Sequence, residues 1–222
     1  MLPSISQSTE STGLSTESVN LLQRRGLSGQ QVEDFATLLD KARDQREQNI
    51  SAKQVLSKLS AEEMKLLQQA TSLANPIQVN TLSNEGATNL LAQPDKTGMV
   101  DLNNDGIVEV GIGKMITFPP VNAPAHVQDA WDKATENMSE GDKMTMQLHM
   151  HIATYGAQID GISTKAPLSP EQQWSPEGWQ KLLEEVRGAL DFSVSMDGWT
   201  RTNLVRQDFF DKFENQLSHQ TS

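Results

Sequence analysis

Apolar residues recur at three- and four-residue intervals along most of this chain, with one interruption near its middle. That spacing predicts amphipathic helices. Ser28 with Gln31 reads as a capping box, and Val32, Phe35, Leu39 and Ala42 then fall on one face. The charged run Asp40 to Glu47 is the solvated end of that helix. Ser51 caps a short helix carrying Val55, Leu56 and Leu59. Ser60 with Glu63 opens another, with Met64, Leu67, Ala70 and Leu73 on one face and Pro76 beyond its end. A fourth short helix follows Ser83 and ends near Pro94.

The interruption lies between Gly98 and Pro120, where four glycines separate short β-branched runs. Ile107 to Val110 and Met115 to Phe118 cluster as strands do, and Gly111 to Lys114 can turn the chain between them. Helical spacing returns over 124–138 and again over 139–155, where Met144, Leu148, His151 and Tyr155 share a stripe. Residues 160–176 read as a loop. Ser175-Pro176 is a helix start, with Trp179, Leu182, Leu183, Val186 and Leu190 facing inward. A final helix over 200–217 presents Leu204, Val205, Phe209, Phe213 and Leu217. The expected fold is mainly α with a small β-hairpin (α+β). Along the chain it reads as a flexible polar tail (1–14), an N-terminal helical region (15–95), a loop and hairpin (96–120), a C-terminal helical region (121–217) and a short tail (218–222).

Composition narrows the function classes. With 18 Lys and Arg against 29 Asp and Glu, the net charge is −11, which disfavours nucleic acid and anionic membrane surfaces by repulsion. There is no cysteine, so disulfides, thiol nucleophiles and cysteine-ligated metals are excluded. No apolar run approaches the ~18 residues of a membrane span. The first residues lack the basic and apolar regions of a secretory signal, so the expected location is cytoplasmic by default. A Ser/Thr-rich start also suits signal-independent export.

One segment carries recognisable chemistry. Asp101, Asn103 and Asp105 place side-chain oxygens at alternate positions, Gly106 permits a sharp turn, Ile107 offers a carbonyl, and Glu109 adds a carboxylate. A hard cation is wrapped by oxygens in this way. The segment resembles the calcium-binding loops of EF-hand and dockerin-type proteins over about a dozen residues, together with the shorter Asp-x-Asp-x-Asp-Gly-x-x-Asp loops. The resemblance implies Ca²⁺ held by Asp101, Asn103, Asp105, the carbonyl of Ile107 and Glu109. Position twelve, a bidentate Glu in an EF-hand, is Ile112 here. Either Glu109 acts as the final carboxylate, or the ligand set is completed by water. The strand-like flanks point to weak binding, at about 10⁻⁴–10⁻³ M. An ion-free turn is the plainer alternative, because Asn104-Asp105-Gly106 is a tight-turn sequence.

Other candidates are weaker. His149 and His151 lie two apart on a helix and point about 200° from each other, so they do not chelate one ion. His151 is expected in the core and His149 exposed. Asp160-Gly161 and Asp197-Gly198 are turn signals first. Trp131, Trp174, Trp179 and Trp199 lie in the C-terminal half and read as core packing before a groove for a peptide or sugar. No Gly-x-Ser-x-Gly elbow, His-Glu-x-x-His or phosphate-binding glycine loop occurs. The expectation is a non-enzymatic, calcium-binding structural or interaction protein with a protein partner. The alternatives are a hydrolase using the Trp-lined 155–200 region with Asp160, Asp197 or His126, and a helical adaptor or chaperone whose loop holds no ion.

Overall fold

The computed structural model describes residues 13–159, 162–165 and 168–220. The tail expected at 1–14 lies mostly outside these residues, as do Asp160 and Gly161. The chain is mainly helical with small two-stranded sheets. It divides into two compact units, Met1–Val100 with Glu109–Lys114, and Asp101–Val108 with Met115–Ser222.

In the first unit, a serine starts each α-helix. Ser15 caps α1 (Thr16–Arg24), Ser28 caps α2 (Gly29–Glu47), Ser51 caps α3 (Ala52–Leu56), Ser60 caps α4 (Ala61–Ala70) and Ser83 caps α5 (Asn84–Leu90). Each hydroxyl accepts an N–H that the first helical turn leaves without a partner. At α2, α3 and α4 the third helical residue returns the bond, completing the capping box. The core gathers Leu22, Val32, Phe35, Leu38, Leu56, Leu67 and Leu90. Leu38, rather than the expected Leu39, takes the fully buried place on α2.

The expected hairpin forms from β1 (Ile107–Val110) and β2 (Gly113–Ile116), the second strand starting two residues before the expected Met115 and ending before Thr117. Its tip counts with the first unit and its base with the second.

The second unit contains α6 (Ala125–Thr135), α7 (Glu140–Tyr155), the paired strands β3 (Gln158–Ile159) and β4 (Ile162–Ser163), α8 (Pro170–Gln173), α9 (Pro176–Asp197) and α10 (Arg201–Gln220). Aromatic rings build its core. Phe118 meets Trp131 edge-on at 5.2 Å, and Phe209 stacks on Phe213 at 5.3 Å. Three expectations change here. Residues 160–176 hold α8, started by a Ser169/Gln172 capping box with Pro170 at its first position. On α7 the buried line is Met146, Met150, His151 and Tyr155, while Met144 and Leu148 are exposed. On α10 Leu204 is exposed, because the inward face is set by Phe209, Phe210, Phe213 and Leu217.

Candidate cation loop

The segment from Asp101 to Ile107 is organised by its own side chains. Gly106 N–H donates to Asp101 Oδ2 at 2.8 Å, and Asp105 N–H to Asp101 Oδ1 at 3.3 Å. Asp105 N–H also reaches Asn103 Oδ1 at 3.2 Å, and Ile107 N–H donates to Asp105 Oδ1 at 2.8 Å. Every one of the three side chains therefore accepts from a backbone N–H further along the loop. The chain curls tightly enough for this because Asn104 and Gly106 adopt positive φ, 54° and 73°. Asparagine and glycine tolerate that region best.

Neighbours in the second unit brace the loop. Asn122 Nδ2 donates to the Asp101 carbonyl at 2.7 Å, and Asn104 Nδ2 to the Leu168 carbonyl at 2.6 Å. Thr117 N–H donates to the Gly106 carbonyl at 3.1 Å. Sequence reasoning did not find Asn122, since an asparagine 21 residues from its partner carries no local pattern. From α7, Tyr155 and His151 pack against Gly106. Burial pushes the Tyr155 phenol well above its ordinary range, with Asp101 and Asp105 adding to the rise. Burial also lowers His151, against the opposing pull of Asp105. Its Nδ1 is buried without a hydrogen-bond partner.

Glu109 belongs to the first unit. Its carboxylate accepts from the Ser83 hydroxyl and pairs with Lys114 at 3.0 Å. The Ser83 bond first, and then Lys114, hold its pKa below the usual carboxylate range. Its N–H donates to the buried Glu85 at 2.8 Å. Asn89, fully buried on α5, donates to the carbonyls of Val100 at 2.7 Å and Glu109 at 2.9 Å, and accepts from Val100 N–H at 2.8 Å.

Among the described residues, no group of three or more His, Cys, Asp or Glu side chains is gathered as a metal ion would need. The loop itself offers two carboxylates, the Asn103 amide and a backbone carbonyl.

The remaining candidates separate. His151 is a core residue, as expected. His149 is half-buried rather than exposed, tilted against Phe210 at 6.3 Å. His126 is half-buried and His219 lies in the last turn of α10. Asp197 ends α9, where Gly198 turns the chain at φ 73°. Trp131, Trp174 and Trp179 are core residues, whereas Trp199 is 54% exposed. No described helix is long and apolar enough to cross a membrane. No family model, curated protein or solved structure matches the chain.

Proposed function

We propose that this is a non-enzymatic, calcium-stabilised interaction protein whose ion is held by Asp101, Asn103, Asp105 and the carbonyl of Ile107, with water completing the shell. One observation carries this reading: all three side chains are already fixed by N–H donors of their own loop. Ordering ligands beforehand lowers the entropy cost of binding. Two formal charges make for weak binding, and oxygen ligands favour a hard cation. Mg²⁺ suits the loop less, since it demands tight octahedral geometry and keeps its waters. Glu109 is left to Ser83 and Lys114, so it serves the first unit and not the ion.

The direct test is isothermal titration with CaCl₂, paired with melts in CaCl₂ and in chelator. Saturable binding with a rise in Tm, both lost in Asp105→Ala, supports the proposal. An unchanged Tm and no heat of binding would sink it. A weak site fills only where free calcium is high, so the proposal places the protein's working state in a calcium-rich compartment.

A second reading has its own support. Asn103 Nδ2 donates to Asp105 Oδ2 at 3.0 Å, so the loop can close without an ion. A helical adaptor with such a loop would show no calcium response. The hydrolase alternative has less support, since of the three tryptophans in the 155–200 region Trp174 and Trp179 are buried and Trp199 is exposed.

A further inference from the structure

The second unit is both the more acidic and the more apolar at its surface. It carries eight Lys and Arg against seventeen Asp and Glu, which is −9 of the chain's −11. Among the described residues, it also holds ten of the eleven large apolar side chains that are exposed. Scattered exposed apolar residues are ordinary, but five of these ten fall in two rows. Met144, Leu148 and Ile152 recur every four residues along α7, a row about 12 Å long. Phe192 and Met196 are spaced likewise on α9, each 69% exposed.

The two helices pack together. Arg201, the first residue of α10 and four residues beyond the end of α9, clamps Asp142 in the first turn of α7 with bonds of 3.0 and 2.6 Å. Lys165 donates both to the Ala153 carbonyl near the end of α7 and to Glu185 midway along α9. Met144 and Trp199 therefore lie at the same end of the unit. Exposed carboxylates accompany the rows: Glu140 on α7, and Glu184, Asp191 and Asp197 on α9.

We propose that the second unit docks a basic amphipathic helix of a partner protein on the apolar rows of α7 and α9. Charge selects this occupant. A second copy would bring −9 against −9, and an anionic membrane would be repelled in the same way. A helix whose apolar stripe is flanked by Lys and Arg satisfies both features of the surface. The flexible Met144 and Met196 side chains adapt to its contour. The inference extends the interaction-protein reading and rests on it only for the existence of a partner. Calcium plays no part in it.

The test titrates the full chain with a synthetic Lys/Leu amphipathic helix, in calcium and again in chelator, following tryptophan emission. The other three tryptophans are core residues, so exposed Trp199 reports. The expected result is saturable one-to-one binding with a blue shift in both buffers, weakened by salt. The double variant Phe192→Ser with Met196→Ser should weaken it roughly tenfold or more, at unchanged Tm. Leu148→Ser on α7 provides a second, independent variant. Equal affinity for a basic peptide with scrambled apolar positions overturns the proposal, as does absence of binding. Sedimentation showing a dimer that shields Trp199 also overturns it, in favour of a second copy. A calcium-independent blue shift with a failed calcium titration would sink the ion loop alone.

Discussion

The ring of Tyr155 packs so closely on Gly106 that a methyl group there would fall 2.2 Å from its Cε2 and 2.9 Å from His151 Nδ1. The acidic loop is therefore shaped by a helix some fifty residues further along the chain. Gly106 is needed twice, for its positive φ and for its missing side chain.

Gly106→Ala should consequently cost about 2–4 kcal/mol, combining left-handed strain with overpacking. Urea unfolding measures it. A cost below about 0.5 kcal/mol, the range of an ordinary surface substitution, would show that the helix yields easily.

Tyr155 is the chain's single tyrosine, so its titration can be followed without interference. Its phenol is raised in the fold, first by burial and then by Asp101 and Asp105. The neutral form is thus favoured in the native state. The associated stability is full below the unfolded value of about 10 and is lost as pH rises through the folded value. Alkaline unfolding should accompany the phenolate absorbance, and Tyr155→Phe should flatten the alkaline limb of the stability curve.

Glu109 moves in the opposite sense. Its lowered pKa gives stability that is present above the unfolded value of about 4.3 and is lost as pH falls through the folded one. Glu109→Gln should make the acid limb shallower. It should leave the calcium response intact if the ion sits on Asp101 to Ile107. Loss of that response would instead assign Glu109 as a ligand.

Calcium at ten times its Kd should add about 1.4 kcal/mol of stability. For units of roughly a hundred residues the gain corresponds to a Tm rise of about 6 °C. Asp105→Ala should abolish the rise, whereas Asn122→Ala should lower Tm in both buffers because it removes a brace and no ligand.

Asn89 makes the first unit's most demanding buried polar contacts. Asn89→Ala would leave two carbonyls and one N–H of the backbone without their partner. A loss of about 3 kcal/mol is expected by chemical denaturation.

Much of the helical layout was legible because its signals are local. Ser28/Gln31, Ser51/Gln54 and Ser60/Glu63 place their oxygens within reach of the first turn whatever the rest of the chain does. The Ser169/Gln172 box was equally local, but the prolines around it masked a helix of one turn. Inward faces were harder to read. The row containing Met144 and Leu148 satisfies helical spacing, yet burial on α7 follows Met146 and Met150.

The oxygens at Asp101, Asn103 and Asp105 and the turn at Gly106 are determined by the sequence itself, since alternate spacing and a residue tolerant of positive φ act within a few bonds. Tertiary structure alone decided that Asn122, Tyr155 and His151 close around that loop, and that Glu109 is taken by Ser83 and Lys114. Those partners lie five to fifty residues away in the chain. Folding brings them together through burial of apolar surface, which is non-directional and leaves no fixed spacing to read.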